Sequence, residues 1–248
     1  MRLNKRRPWM FLVVAASLLC VGFFWGQNPP TATPNPAPSQ LASAAAAPLS
    51  PAIMIDAAHG GSESGAVLNP VILEKDINLA FARLLRQDLT ARGILVRLVR
   101  ESDVNLSSDD RAAIVNSAHP LLYLCLHASS QGGGVRIFSA MLPGSGQNNG
   151  LFVDWASAQS GALSASRSLE QKLADALQKA GIPARALIAP LRPLNNVMVP
   201  ALAIEICPSG ADVSQLAAAD FQQKTAAGLS NALAAIMPAI SPTAGAPR

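Results

Sequence analysis

The protein has 248 residues, of which 50% are hydrophobic and 14% charged, a balance that excludes a disordered body and allows one sizeable core. Four of its 19 basic residues (Arg2, Lys5, Arg6 and Arg7) precede the first apolar run, so the rest match the 15 acidic residues and the net charge of +4 belongs to the N-terminus. No basic stripe interleaved with aromatics follows, which argues against nucleic acid as a partner.

After those basic residues, Trp9 to Trp25 is apolar and free of charge, the pattern of a signal sequence. Its length lies near the lower limit of about 17 residues for a spanning helix, and the two tryptophans bracket it as interfacial anchors do. No small-x-small cleavage site follows, and bulky Leu19 before Cys20 does not suit lipidation. The expectation for 1–26 is therefore an uncleaved anchor in the inner membrane, with a cleaved signal peptide as the alternative. Either form exports the body to the extracytoplasmic side. Residues 27–51 are rich in Pro and Ala, without charge or periodicity, and read as an extended spacer. A single domain over 52–238 and a frayed tail over 239–248 complete the division.

Within the body, Ala52 to Asp56 reads as a buried strand running into a glycine loop. Lys75 to Arg92 carries Ile77, Phe81, Leu84, Leu85 and Leu89 on one helical face and is closed by Gly93. Ile94 to Val99 is the next strand. Ser107 to Ser117 is a helix capped by Ser107 or Ser108 with acids in its first turn. Leu121 to Leu126 is a buried strand that delivers His127, and Gly134 to Phe138 is a short one. Residues 139–166, loose in composition, read as a surface excursion in which Asp154 and Trp155 could cover a groove or have no role. A helix over Leu169 to Ala180, strands over Arg185 to Ile188 and Val199 to Ile206, and a last helix opened by Asp212 with Gln215 and stopped by Pro238 follow. This alternation predicts an α/β fold, a mostly parallel central sheet flanked by helices on both faces.

Only three histidines occur. His59 and His127 each follow an apolar strand, at the strand ends where ligands bind in such folds; His119 falls in a solvated turn. Glu74 opens a helix, where an acid is also favourable for the dipole alone. Glu205 interrupts the apolar run Val199 to Ile206, and a lone buried carboxylate is costly; a structural salt bridge or a place in a site would each account for it. Two histidines and a glutamate match the ligand set of catalytic zinc hydrolases, although each residue also has a structural reading. Cys20, Cys125 and Cys207 are too few for a disulfide framework, and the last two read as small buried hydrophobes.

Five segments occur in one order: Ile55-Asp56-Ala57-Ala58-His59-Gly60-Gly61, Leu73-Glu74-Lys75-Asp76-Ile77-Asn78, Arg100 to Leu106 with Arg111 downstream, Leu124-Cys125-Leu126-His127-Ala128-Ser129, and Val199 to Glu205. Together they resemble the zinc-dependent N-acetylmuramoyl-L-alanine amidases of the amidase-3 family, across roughly 52–236. The resemblance implies zinc bound by His59, Glu74 and His127, Glu205 as the catalytic carboxylate, and cleavage of the amide between the lactyl group of N-acetylmuramic acid and L-alanine in peptidoglycan. A protein activator is left open. Departures from the family pattern are Ala58 before the first histidine, Glu63-Ser64-Gly65 after the glycines, Ser129 after the second histidine and Cys207-Pro208-Ser209-Gly210 after Glu205. These motivate two alternatives, a catalytically silent peptidoglycan-binding relative and a zinc amidase for another cell-wall amide.

Overall fold

The computed structural model describes residues 52–143 and 155–239. The expected anchor (1–26), the spacer (27–51), Asp154 and the tail beyond 239 lie outside the described residues. No helix among the described residues is long and apolar enough to cross a membrane.

The chain enters through β1 (Ile53–Ala57), a small ribbon of β2 (Val67–Asn69) and β3 (Ile72–Leu73), α1 (Glu74–Ala91), β4 (Val96–Leu98), α2 (Ser108–Ala118) and β5 (Leu122–Ala128). It continues through β6 (Gly134–Ala140), α3 (Leu163–Lys179), β7 (Ala184–Ala189), β8 (Ala201–Cys207) and α4 (Ala219–Ile236). Six strands form one sheet in the order β4-β1-β5-β8-β6-β7. β6 runs antiparallel to β8, and every other pairing in this sheet is parallel. The α/β expectation therefore holds, with one reversed pair of strands at an edge.

Period-two alternation sorts the strand residues between two cores. Ile53, Ile55, Leu122, Leu124, Leu202 and Ile204 pack against α1, α3 and α4. Met54, Tyr123, Cys125, Ala201 and Ala203 point to the other face, under α2 and the 3₁₀ turn Leu194–Asn196. Strands buried on both faces read as nearly continuous apolar runs, which is why β1, β5 and β8 were visible in the sequence. Burial of each large aliphatic side chain contributes about 1.5–3 kcal/mol. Cys125 and Cys207 are free thiols and buried, as their apolar surroundings suggested.

The two largest differences from expectation lie at the starts of helices. α3 begins at Leu163 rather than Leu169, and Trp155–Gly161 forms a 3₁₀ segment, so the excursion is shorter than its composition implied. The 3₁₀ segment is anchored by Gln159, fully buried, whose Nε2 donates to the carbonyls of Val197 (3.1 Å) and Val199 (2.8 Å). Polar composition conceals a segment whose polar groups are satisfied inside. At the other end, Asp212 caps the short 3₁₀ turn Val213–Ala217 by accepting from the Ser214 amide. α4 starts only after the extended residue Ala218.

Candidate metal centre

The crossover from β1 to β4 places α1 on one face of the sheet, and the crossover from β4 to β5 places α2 on the other. β1 leaves toward β4 on one side and β5 toward β6 on the other, so their connections diverge at a switch point, the place beyond the carboxyl ends of the strands where ligands bind in such sheets. His59 lies just after β1, His127 is the next-to-last residue of β5, and Glu74 is the first residue of α1. Three distant stretches thus meet beyond the carboxyl ends of β1 and β5.

The three side chains offer ligand atoms that all lie within 4.8 Å of one another. The Glu74 carboxylate sits between the imidazoles, with Oε1 2.8 Å from His127 Nδ1 and Oε2 3.3 Å from His59 Nε2. The rings stand edge to face, their centroids 5.4 Å apart. The nitrogens turned away from the cluster also have neighbours: Glu63 Oε1 at 3.2 Å from His59 Nδ1, and Cys125 Sγ at 3.5 Å from His127 Nε2. Contacts of this kind hold a ligating imidazole in one orientation. The Ala66 amide donates to Glu74 Oε2 at 2.9 Å, a further hold on the carboxylate.

Burial alone would raise the Glu74 carboxyl, but hydrogen bonds from His127, His59 and the Ala66 amide outweigh it and hold the group well below the usual carboxylate range. The hydrogen bond to Glu74 raises His59 against the effect of burial. For His127, burial acts downward, and the Cys125 sulfur and Glu74 carboxylate push further upward. With the folded carboxyl below its ordinary 4.5, its contribution to stability is present above that value and is lost as pH falls through the depressed value. With both imidazoles above their ordinary 6.5, theirs is present below that value and lost as pH rises through the raised values. In the metal-free protein, the melting-temperature advantage of wild type over Glu74→Gln is therefore expected to peak between 4.5 and 6.5. Thermal scans of both proteins across pH measure it, and an advantage that grows steadily toward alkaline pH would contradict the assignment.

The loop carrying His59 is held by buried cations. Arg111 pairs with Asp56 and donates to the carbonyls of Ala57 (3.1 Å) and His59 (2.8 Å). Arg100 donates to the carbonyls of Ala57 (2.7 Å), Ala58 (3.3 Å) and Lys75 (2.8 Å). Asp103 accepts from the Gly61 amide and from Lys75 Nζ, both at 2.7 Å. The segment Arg100 to Leu106 thus serves to pin the histidine loop. α1 has no side-chain cap; its first amides donate instead to the carbonyls of Ala66 and Ser64, both at 3.1 Å. That docking brings Glu74 to the loop.

Gly65 lies where the loop crosses the cluster, with φ +67°, and a Cβ there would fall 2.5 Å from His59 Cδ2 and 2.7 Å from Glu74 Oε2. Gly65→Ala is expected to displace both side chains and weaken metal affinity by about 10–100-fold, the scale of disturbed outer-shell support. A metal titration followed by calorimetry measures this, and an unchanged affinity would separate Gly65 from the cluster.

Glu205 is the register partner of His127 on the adjacent strand, and both line one cavity of about 120 Å³. Its side chain keeps 22% of its exposure, and Oε2 lies 2.6 Å from Arg136 Nε on β6. Glu205 therefore makes a salt bridge and also lines the cavity beside His127. Sequence reasoning assigned no role to Arg136, Glu63 or Arg100. The available signals were an arginine inside the apolar strand Gly134 to Phe138, an acid four residues after His59, and an arginine at the end of an apolar strand. His119 stands apart, exposed in a left-handed cap at the end of α2.

The donor set suits a divalent ion of intermediate softness, two imidazole nitrogens and one carboxylate. Their ligand atoms, all within 4.8 Å of one another, are close enough to share one ion. The residues present therefore fit a bound metal.

Comparison with known proteins supports a family assignment. Residues 53–235 match the amidase-3 family profile, described as N-acetylmuramoyl-L-alanine amidase. The endolysin of Bacillus phage SPP1 is 39% identical over 87 residues, covering 35% of this chain and 32% of that protein. The N-acetylmuramoyl-L-alanine amidase LytC of Bacillus subtilis is 38% identical over 78 residues, covering 32% of this chain and 16% of that one. The chain therefore matches a third or less of the length of these relatives. Among solved structures, the catalytic domain of the amidase CwlV from Bacillus (Paenibacillus) polymyxa var. colistinus shares the fold at a TM-score of 0.59 and 22% identity, over 75% of this chain and 97% of that one. The CwlD amidase of Clostridioides difficile, solved in complex with the GerS lipoprotein, gives a TM-score of 0.54 and 22% identity, over 76% of this chain and 99% of that one. On the match across 53–235, this chain belongs to the amidase-3 family of N-acetylmuramoyl-L-alanine amidases.

Proposed function

We propose that the protein is a zinc-dependent peptidoglycan hydrolase that cleaves the amide between the lactyl group of N-acetylmuramic acid and L-alanine. It acts on the extracytoplasmic side, tethered to the inner membrane by segment 1–26. One observation carries this reading: His59, Glu74 and His127 converge, and Glu205 stands in register beside His127.

His59, Glu74 and His127 would hold the ion. Zinc in such a set supplies Lewis acidity, bringing the pKa of a water to about 7 and polarising a carbonyl. Glu205 faces the same cavity and is placed to accept the proton of the attacking water and pass it to the nitrogen of the departing L-alanine amine. Arg136 holds Glu205 through Oε2, restricting the carboxylate to the rim of the cavity. Arg100 and Arg111 hold the His59 loop through its backbone carbonyls.

Digesting purified sacculi with the metal-loaded protein and identifying the new termini tests the reading. Free L-alanine amino groups are the expected product. Absence of any new terminus would instead support a silent peptidoglycan-binding relative, and other termini an amidase acting on a different cell-wall amide.

A further inference from the structure

Strand register lays out a grid on the sheet face turned away from α1, α3 and α4. Along the rim, His127, Glu205 and Arg136 stand side by side on β5, β8 and β6. One row deeper are Cys125, Ala203 and Phe138 on the same three strands. Neighbouring strands lie about 4.8 Å apart, so a lone methyl at the centre of the second row, between a thiol and a phenyl ring, leaves a hollow. Leu191, from the connection between β7 and β8, contributes a further wall. The resulting cavity of about 120 Å³ is lined by His127, Phe138, Leu191, Ala203 and Glu205. Three of these walls are apolar, and the two polar ones are a proposed metal ligand and the proposed acid–base residue. The pocket is thus an apolar recess opening beside the reacting centre.

Resting on the hydrolase reading above, we infer that this recess is a specificity subsite for the single methyl group that flanks the scissile amide, and that Ala203 and Leu191 set its size. The bond in question carries one methyl on each side, that of the lactyl group on the acyl side and that of L-alanine on the amine side. Either fits the recess chemically, since its inner walls offer carbon rather than charge. A long or branched substituent at the same position would meet Phe138 and Leu191. The recess contributes selectivity at the amide, separate from any recognition of the glycan or of the distal peptide.

The experiment uses the zinc-loaded protein on soluble N-acetylmuramoyl dipeptides that vary one side at a time. On the amine side L-alanine is replaced by glycine or L-valine; on the acyl side the lactyl group is replaced by glycolyl, which lacks the methyl. Wild type, Ala203→Val and Leu191→Ala are compared in kcat/KM, with zinc content measured for each. Ala203→Val fills the recess and is expected to lower kcat/KM on the natural substrate by about 10–200-fold, the range for one methylene in an apolar pocket. Its activity on the methyl-free analogue of the side that occupies the recess should be largely kept, at unchanged zinc content. Leu191→Ala enlarges the recess, and should raise the valine-to-alanine ratio on the amine side, or, if the lactyl methyl is the occupant, weaken the preference for lactyl over glycolyl. The side on which these ratios move identifies the occupant. Equal losses on every substrate, or ratios that move on neither side, overturn the subsite while leaving the hydrolase reading intact. Leu191 belongs to a connecting segment, so its arm decides the matter even should Ala203→Val fail to fold. A wild-type protein that cleaves none of these amides nor sacculi overturns the hydrolase reading, and the subsite with it.

Discussion

Glu74→Gln is expected to leave a folded protein that no longer retains metal and no longer hydrolyses amides. Glutamine keeps the volume of the side chain, which is only 7% exposed, so the start of α1 should repack without a cavity. Its amide oxygen can still accept from the Ala66 amide, now 2.9 Å from Glu74 Oε2. What is lost is the negative charge, which lies between two imidazoles and at the positive end of a helix dipole. The dipole alone accounts for about 0.3–1 kcal/mol, a modest loss of stability. The effect on metal is far larger, because a neutral amide between two neutral imidazoles leaves the ion without any anionic protein ligand. Bound zinc after dialysis should fall from about one ion per chain to near zero, with activity on sacculi at background. His59→Ala and His127→Ala should act in the same direction. Wild-type stoichiometry in Glu74→Gln would remove this residue from the ligand set and leave the histidine pair without its carboxylate.

The legible parts of the molecule were those in which local pattern and global role agree. β1, β5 and β8 are buried on both faces and read as apolar runs, and α1 shows Ile77, Phe81, Leu85 and Leu89 on a single face. His59 and His127 could be paired because each follows such a strand, and in a parallel sheet the carboxyl ends of neighbouring strands lie side by side. The order of five segments identified a family that no one of them would have. Less visible were features that depend on neighbours distant in sequence. Gln159 is polar yet fully buried, because its partners are the carbonyls of Val197 and Val199. Nothing near residue 159 announces them, so α3 was placed too late. Arg136 meets Glu205 through the register of β6 beside β8, an antiparallel pairing that the run of parallel strands did not suggest. The recess over Ala203 is invisible for the same reason. It is an absence of side chain at one node of a three-strand grid, and a sequence lists residues without listing the nodes.

Glu205→Gln is expected to separate metal binding from chemistry, retaining about one zinc per chain while losing about 10²–10⁴ in kcat, the usual contribution of a positioned acid–base group. Glu205 belongs to a different strand from His127 and makes its close ion pair with Arg136 rather than with a ligand of the cluster. Removing its charge should therefore leave His59, Glu74 and His127 in place. Glutamine is close in shape and stays in reach of Arg136, so the fold should be little affected, although the guanidinium loses its counter-charge. That change separates two roles for the residue. A carboxylate needed only to neutralise Arg136 would be relieved by a second change, Arg136→Met, which removes the unpaired cation. A carboxylate that transfers the proton cannot be rescued in that way, because neither side chain of the double variant can accept one. The double variant is therefore expected to remain as slow as Glu205→Gln, with zinc bound in both. Recovery of most of the rate in the double variant would reduce Glu205 to the partner of a strand arginine, and the proton carrier would have to be sought elsewhere around the cavity.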